Sequence, residues 1–259
     1  NLTQNISALG YKTPFPIQEE VIPAILNKKD VMGIARTGSG KTASFVLPIL
    51  EHLQKSTVVK SRNIQVLILV PTRELAIQIQ NVFTEFNLNL DRKIKTMAVY
   101  GGISINPQMK GMLGVEVLIA TPGRLLDLLD HKALSLQEVS VFGVDEADKM
   151  FQMGFEEEMS KIIALLPQKR QTILFSATLS DKIEELKNKL GLTPLVVEIK
   201  SEATAADDVL IEQIAYQIST EKKGPFLRYL IKSQQLKQVL VFVSSSRTAD
   251  NLVEKLNKN

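Results

Sequence analysis

The sequence predicts an α/β protein built on a parallel β-sheet with helices on both faces. Short runs of apolar, β-branched residues recur about every 25 to 35 residues, and each run is bounded by turn residues. Patterns of helical period fill the intervals between the runs. Strands that alternate with helices pair in parallel and carry the helices on the two faces of their sheet, so these two observations together predict the class.

Seven of the runs are predicted to be buried strands, because they are apolar throughout rather than alternating with polar residues. They span Val31 to Ala35, Ile64 to Val70, Ile94 to Tyr100, Val115 to Ala120, Val139 to Asp145, Thr172 to Phe175 and Leu195 to Ile199. Ligands of parallel sheets bind at the carboxyl ends of the strands. The loops that follow these strands are therefore the first place to look for function.

The clearest helix lies between the second and third strands and spans Arg73 to Phe86. Polar residues such as Gln78 lie on one side of this helix and predict a solvent-facing surface. Its other side carries apolar residues at helical spacing, which predict the face that packs on the sheet. These apolar residues are Leu75, Ile79, Val82, Phe83 and Phe86.

A polar segment at residues 201–210 predicts a linker, because it is rich in small residues and has no apolar period. We therefore expect a first domain over residues 1–200 and an incomplete second domain over residues 211–259. The second unit is predicted to run strand, helix, strand, helix, at 211–218, 224–233, 239–243 and 247–257.

The composition excludes several classes of protein. Hydrophobic residues make up 44% of the chain and charged residues 23%, which is typical of a globular protein with a large core. The apolar runs fall far short of the roughly 18 residues that a membrane-spanning helix needs. The chain has no cysteine, so it has no disulfide and no catalytic thiol. That absence fits a reducing compartment, and we expect a cytoplasmic location.

The charge balance limits how the chain could bind nucleic acid. It contains 31 Lys and Arg against 28 Asp and Glu, a net charge of +3. A protein that holds nucleic acid by bulk charge normally carries a strongly basic face or tail. Any such binding here is expected to depend on a few placed groups.

The segment that follows the first strand has the pattern of a phosphate-binding loop. Small residues let backbone N–H groups close around phosphate oxygens, a lysine supplies a point charge for the β and γ phosphates, and a threonine hydroxyl can bind Mg²⁺. A tight glycine turn is the alternative, but a turn does not require the Lys-Thr pair. The predicted phosphate-binding residues are Arg36, Thr37, Gly38, Ser39, Gly40, Lys41 and Thr42.

Three acidic residues, Asp145, Glu146 and Asp148, lie at the end of the fifth predicted strand. A carboxylate at a strand end can hold Mg²⁺, and a second one can orient and deprotonate an attacking water. We assign the metal to Asp145, with Thr42, and the water to Glu146. Considered alone, such acids are more often a solvated helix start. Their combination with the phosphate loop favours the catalytic interpretation.

The run Asp-Glu-Ala-Asp at 145–148, with the phosphate loop, resembles the DEAD-box RNA helicases of helicase superfamily 2. Further segments are similar to the motifs of that family, in its order. They are 10–18 (its Q motif), 71–76, 101–102, 121–124, 176–178 (its coupling motif) and 241–244 (the first motif of its second domain). The run from Gly101 to Met109 also resembles the bacterial RhlE-type subgroup.

The resemblance implies a RecA-like first domain, the start of a second one, and an ATP-dependent RNA helicase that unwinds short duplexes locally or remodels RNA–protein complexes. ATP and Mg²⁺ are the implied cofactors, RNA is the implied partner, and a monomer is expected. Gln18 would read the N6 and N7 edge of adenine, next to Tyr11 and Lys12. Ser176 and Thr178 would hydrogen-bond toward Asp148 and couple the ATP site to the RNA site.

The resemblance also implies RNA contacts through backbone phosphates and sugars rather than bases, so that binding would tolerate any sequence. Eight residues match the motifs that make these contacts: Pro71, Arg73, Gly101, Gly102, Thr121, Pro122, Gly123 and Arg124. Considered singly, each arginine is more often a salt-bridged surface residue.

Two features depart from the family pattern. Phe15 stands where the family usually has Thr in the Q motif, so a hydroxyl contact near the phosphate loop is lost. The second-domain arginines that complete the ATP site in the family have no matching motif in this chain. We therefore expect this chain alone to bind nucleotide and to be poorly active. The alternatives are a non-catalytic nucleotide-binding or scaffold module and a DNA-directed superfamily 2 motor.

Overall fold

In the computed structural model, the described residues are 2–36, 38–56, 61–199 and 212–257. The predicted phosphate-loop residue Thr37 and the predicted linker at 201–210 lie outside these ranges. The chain forms two compact units, Asn1–Glu202 and Ala203–Asn259.

The first unit is built on a seven-stranded sheet in which every pair of neighbouring strands is parallel. All seven predicted strands are present; six of them are shorter than the apolar runs by one to three residues in all, and the sixth strand is longer by one residue at each end. The strands are β1 (Val31–Ile34), β2 (Val66–Leu69), β3 (Thr96–Val99), β4 (Val117–Ala120), β5 (Val141–Val144), β6 (Gln171–Ser176) and β7 (Leu195–Glu198). Their order across the sheet is β3-β4-β2-β5-β6-β1-β7.

Nine helices accompany the sheet within the described part of the first unit. They are α1 (Leu2–Ala8), α2 (Pro16–Leu26), α3 (Lys41–Gln54), α4 (Arg73–Asn87), α5 (Ile105–Gly111), α6 (Pro122–Asp130), α7 (Ala147–Gln152), α8 (Glu156–Ala164) and α9 (Asp181–Lys189). Helix α4 confirms the clearest helical prediction, and its Ile79, Phe83 and Phe86 are fully buried. No helix in the described ranges is long and apolar enough to cross a membrane.

Two hydrophobic cores form, one on each face of the sheet. Successive residues of a strand point to opposite faces, so Val31 of β1 joins one core and Met32 joins the other. Buried residues of α2, α3 and α4 fill the first core, and those of α6 to α9 fill the second. Both faces of the sheet are therefore covered, and the predicted α/β class is confirmed.

The strand order divides the carboxyl edge of the sheet into two halves. The phosphate loop follows β1 and the acidic residues follow β5, and these two strands flank β6. The predicted RNA-contact residues Pro71, Gly101 and Thr121 lie in the loops after β2, β3 and β4, and these three strands are neighbours. Both sets of predicted site residues thus lie along one edge of one sheet, side by side, because β2 pairs with β5.

In the second unit, α10 (Lys223–Ser233) and α11 (Ser246–Asn257) confirm the two predicted helices. The strands predicted at 211–218 and 239–243 are not found, because residues 212–257 contain no strand and residue 211 lies outside the described residues. A strand exists only by pairing with a neighbour, and a lone pair of strands is marginally stable in water. Leu240 and Phe242, within the strand predicted at 239–243, are accordingly exposed.

Candidate nucleotide site and nucleic-acid face

The loop between β1 and α3 has the backbone of a phosphate cradle. Gly38 and Gly40 adopt positive φ angles of 85° and 87°, a conformation that strains any residue with a Cβ. The Ser39 hydroxyl donates a hydrogen bond of 2.8 Å to the carbonyl of Arg36 and closes the turn. Helix α3 begins at Lys41, so its free N–H groups and the positive end of its dipole face the loop.

Lys41 is buried within this loop. Its Nζ donates a hydrogen bond of 2.6 Å to the carbonyl of Ala35, the residue that precedes the loop. The ammonium group also acts electrostatically on Asp145. Lys41 therefore stands between the two predicted halves of the ATP site, the phosphate loop and the acidic strand end.

Gln18 bridges the Q motif and the phosphate loop. Its Oε1 accepts a hydrogen bond of 3.0 Å from the Phe15 backbone N–H, and its Nε2 donates one of 3.0 Å to the Gly40 carbonyl. Each end of the amide keeps one further hydrogen-bonding site, a lone pair on Oε1 and an N–H on Nε2, so the predicted reading of adenine does not require these contacts to break. The Phe15 ring also packs on Gly40, where an added Cβ would come within 2.8 Å of the ring.

These segments surround a cleft of about 270 Å³. Lys12 and Arg36 are exposed and do not line it. Sequence reasoning missed one wall, which α4 supplies through Leu75, Gln78 and Val82. The half-buried state of Leu75 and Val82 reflects this, since they face the cleft as well as the core. The predicted site residues that line the cleft are Tyr11, Gln18, Gly38, Gly40, Lys41, Thr42, Asp145 and Glu146.

Asp145 is a buried carboxyl group at the end of β5. Its Oδ1 accepts a hydrogen bond of 2.9 Å from the Glu146 N–H. Burial raises the pKa of Asp145 from 3.8 to about 6, although the charge of Lys41 and the hydrogen bond from Glu146 lower it. A carboxyl group held in this way gains a partner if a divalent cation binds beside it. The Asp145 carboxylate and the Thr42 hydroxyl are oxygen donors in one cleft and fit Mg²⁺, which takes few protein ligands beside phosphates and water.

Glu146 stands at the start of α7 in a left-handed conformation with φ of 52°. Such a conformation costs a residue other than glycine about 1 kcal/mol or more and is often retained at functional sites. The Glu146 side chain is mostly buried, and its Oε1 lies 2.9 Å from the Nζ of Lys149, one turn along the helix. The backbone and the ion pair together fix where this carboxylate points.

The coupling motif meets the acidic motif through the backbone rather than through hydroxyl groups. Oδ1 of Asp148 accepts a hydrogen bond of 3.4 Å from the Ala177 N–H. The Ser176 hydroxyl instead donates 2.8 Å to the Thr178 carbonyl, and accepts from the Thr178 N–H at 3.4 Å. The predicted hydroxyl bonds to Asp148 are absent among the described residues, because a hydroxyl at a strand end closes its own turn more readily.

The other half of the sheet edge presents exposed polar loops. Thr72 caps α4 by accepting a hydrogen bond of 3.3 Å from the Leu75 N–H. This cap places Arg73 at the first position of α4, where its exposed guanidinium group lies 5.5 Å from the centre of the Tyr100 ring. Residues 101–104 after β3 are exposed, with Gly102 at a φ of 81°. Arg73 and this loop are therefore available to a ligand.

The start of α6 supplies the last of the predicted RNA-contact residues. Thr121 and Gly123 are half-buried there and Pro122 is buried, as is Pro71 after β2.

Arg124, another predicted RNA-contact residue, is only 9% exposed. Its Nη2 donates a hydrogen bond of 2.8 Å to the Ile103 carbonyl, and its Nε lies 3.4 Å from Oδ2 of Asp127. Arg124 thus anchors the exposed loop at residues 101–104 through the Ile103 carbonyl. The ion pair with Asp127 fits the alternative of a salt-bridged arginine, while the buried Nη1 of Arg124 has no hydrogen-bond partner among the described residues.

Comparison with known proteins agrees with this geometry. The chain matches the DEAD/DEAH box helicase family over residues 15–186. A solved structure of a DEAD box protein from the hyperthermophile Methanococcus jannaschii is 33% identical, with a TM-score of 0.71 over 100% of this chain and 68% of that one. This similarity confirms the RecA-like character of the predicted fold.

Curated relatives give the same family. The chain is 36% identical over its whole length to the ATP-dependent RNA helicase DeaD of Escherichia coli K12, of which it covers 40%. It is 38% identical over 99% of its length to the helicase CshA of Streptococcus pneumoniae, of which it covers 48%. The chain thus spans less than half the length of these relatives. Because the family match covers most of the first unit and includes both halves of the sheet edge, the chain belongs to the DEAD/DEAH box helicase family.

Proposed function

We propose that the protein is an ATP-dependent RNA helicase, which unwinds short RNA duplexes or remodels RNA–protein complexes by binding and hydrolysing ATP. One observation carries the proposal: the nucleotide cleft and the exposed loops occupy neighbouring halves of the same sheet edge. A nucleotide bound in the cleft and an RNA strand bound to the loops would then both contact the same edge of the sheet.

The nucleotide half supports ATP and Mg²⁺ as cofactors. We assign Lys41 to charge compensation on the phosphates, and Thr42 with Asp145 to holding Mg²⁺. The bound metal would neutralise charge on the phosphate oxygens. Glu146, fixed by its backbone and by Lys149, would orient the attacking water and accept its proton.

The RNA half supports binding without sequence preference. Arg73 and the glycine loop at 101–102 offer a cation and free backbone groups, which suit phosphates and sugars. We assign Thr121 and Gly123 to the same surface, and Arg124 to holding the loop. The modest net charge of +3 fits contacts of this placed kind.

We also propose the domain division expected from the sequence: an ATP-binding domain over residues 1–200, a linker over 201–210 and part of a second domain over 211–259. Because the chain spans 40% of the DeaD relative and 48% of the CshA relative, we propose that this chain alone binds nucleotide and hydrolyses it poorly. We also propose that the protein is a monomer, that it is cytoplasmic and that it belongs to the RhlE-type subgroup.

The test is an ATPase assay on the full-length protein with no nucleic acid, single-stranded RNA or single-stranded DNA. A helicase acting on RNA is expected to be stimulated by RNA and not by DNA. Equal stimulation by DNA would favour a DNA-directed motor. Nucleotide binding without hydrolysis under all three conditions would favour a scaffold module. Lys41→Ala serves as the control for contaminating ATPases.

A further inference from the structure

Tyr100 occupies a junction between the loops of the proposed RNA surface. It follows β3, which is the outer strand of the sheet on this side. The buried side chain of Gln108, from α5, pairs with both backbone groups of Tyr100. Its Oε1 accepts from the Tyr100 N–H at 3.2 Å, and its Nε2 donates to the Tyr100 carbonyl at 3.2 Å. Gln108 therefore bonds the backbone of Tyr100 as a neighbouring strand would, at an edge where the described residues supply no further strand.

The ring of Tyr100 supports Arg73 of α4. The guanidinium carbon lies 5.5 Å from the ring centre, within the range of a cation–π contact. Arg73 also lies 3.8 Å from Glu74, but both side chains of that pair are more than half exposed. An ion pair of this kind contributes little and orients poorly. The ring face is therefore the better-defined support for the guanidinium group.

The exposed loop after Tyr100 is held at its far side as well. The Ile103 carbonyl accepts a hydrogen bond of 2.8 Å from Nη2 of Arg124, which is itself buried in α6. Gly101 and Gly102 lie between the two anchors and are exposed. The separation between Arg73 and this glycine loop is thus set through one residue, Tyr100, whose ring meets Arg73 and whose backbone begins the loop.

We propose that Tyr100 is a positioning residue for RNA, which fixes the distance between the Arg73 cation and the backbone groups of the Gly101–Gly102 loop so that both meet one strand. This inference rests on the proposed function, because it assumes that Arg73 contacts RNA. Gln108 acts through Tyr100 by fixing its backbone.

The first experiment measures binding of a labelled oligouridine of about 10 nucleotides to the full-length protein with a non-hydrolysable ATP analogue, by fluorescence anisotropy. Tyr100→Leu is expected to weaken RNA binding about two- to fivefold, the scale of an exposed cation–π contact. Tyr100→Phe keeps the ring face and is expected to bind RNA like the parent. Tyr229→Leu, at an exposed position of α10, is the matched control. ADP affinity should stay unchanged in all three variants.

A double-mutant cycle then separates this inference from the proposed function. If Tyr100 acts through Arg73, the effects of Tyr100→Leu and Arg73→Ala should be less than additive, because either change removes the same contact. Additive effects, or parent affinity in Tyr100→Leu, would overturn the positioning role and leave the RNA surface intact. If Arg73→Ala itself leaves RNA affinity unchanged, the proposed function of Arg73 in RNA binding is overturned, and the positioning role of Tyr100 with it.

A second variant approaches the same link from α5. Gln108→Glu keeps the acceptor for the Tyr100 N–H but has no N–H to donate to the Tyr100 carbonyl. We expect faster amide hydrogen exchange at residues 100–104 and weaker RNA binding, with ADP affinity unchanged. Parent RNA affinity in this variant, with exchange accelerated, would overturn the role given to Gln108.

Discussion

The Nζ of Lys41 donates a hydrogen bond of 2.6 Å to the carbonyl of Ala35, across the base of the phosphate loop. The side chain is buried there, and a second electrostatic partner, Asp145, lies at the end of β5. The ammonium group is thus held in the cleft by the fold itself. A phosphate that enters the loop meets a cation that is already placed and largely desolvated, which strengthens their interaction.

We therefore predict that Lys41→Ala weakens ADP binding strongly. Loss of a charge-assisted contact to phosphate typically costs about 1.5 to 3 kcal/mol, or roughly tenfold to more than a hundredfold in affinity. Titration calorimetry with Mg²⁺ measures the change. Lys169→Ala, at an exposed lysine, is the matched control and should bind like the parent. Equal affinities for Lys41→Ala and this control would mean that the loop does not hold phosphate.

Gln18 gives a prediction that separates two roles for one side chain. Its amide bonds the Phe15 N–H and the Gly40 carbonyl, so it holds the phosphate loop as well as facing the cleft. Gln18→Leu is therefore expected to weaken binding of inorganic tripolyphosphate as well as ATP, each by several-fold. Competition against a fluorescent ADP measures both. If only ATP binding weakens, Gln18 serves the base alone and its contact with Gly40 is incidental.

Glu146 is predicted to act on water rather than on nucleotide affinity. Glu146→Gln keeps the size of the side chain but cannot accept a proton at neutral pH. We expect ATP affinity within about twofold of the parent and single-turnover hydrolysis slower by about 10² to 10⁴, the usual contribution of a general base. Rapid-quench measurements on the full-length protein with RNA report the rate.

The control for this variant addresses the ion pair with Lys149. Lys149→Met removes the partner of Glu146 and leaves the carboxylate in place. Hydrolysis should then stay much closer to the parent rate than in Glu146→Gln. Parent-like hydrolysis by Glu146→Gln would instead make Glu146 a structural acid at the start of α7.

The sheet and the loop positions could be predicted from the sequence because they follow from local patterns. Apolar runs such as β2 have no other stable place than the centre of a parallel sheet. The predicted phosphate loop needed only its own glycines and the Lys-Thr pair. The strand expected at 239–243 was wrong because a local apolar pattern is not sufficient for a strand. A strand also needs a neighbour to pair with, and residues 212–257 supply none.

The side-chain partners could not be predicted, because they depend on groups that are distant in sequence. Gln18 meets Gly40, and Arg124 meets Ile103, only after the sheet has brought their loops together. The sequence predicted an RNA contact for Arg124 and gave no sign of its bond to the Ile103 carbonyl. The wall of the cleft that α4 supplies was missed because Leu75 and Val82 look like ordinary core residues on a helical stripe.

Asp145 provides a prediction on stability and pH. Burial raises its pKa to about 6, against an ordinary value of 3.8, so the folded protein binds this proton more tightly than the unfolded chain does. The resulting stabilisation is complete below pH 4 and is lost as the pH rises through 6. At about 1.4 kcal/mol per pKa unit, the ionised group makes the ligand-free protein less stable by about 3 kcal/mol at pH 7.5.

Asp145→Asn removes this ionisation and is expected to raise the free energy of unfolding of the nucleotide-free protein at pH 7.5, by up to about 3 kcal/mol. The gain should fall to about half at pH 5, where the folded parent is mostly protonated. Urea unfolding at the two pH values measures it, and Asp91→Asn, at an exposed aspartate, is the matched control. With Mg²⁺ and ADP present the order should reverse, because only the parent keeps the carboxylate for the metal. A variant that is less stable than the parent at pH 7.5 without ligands would contradict this account, and would mean that Lys41 and the Glu146 N–H outweigh the cost of burial.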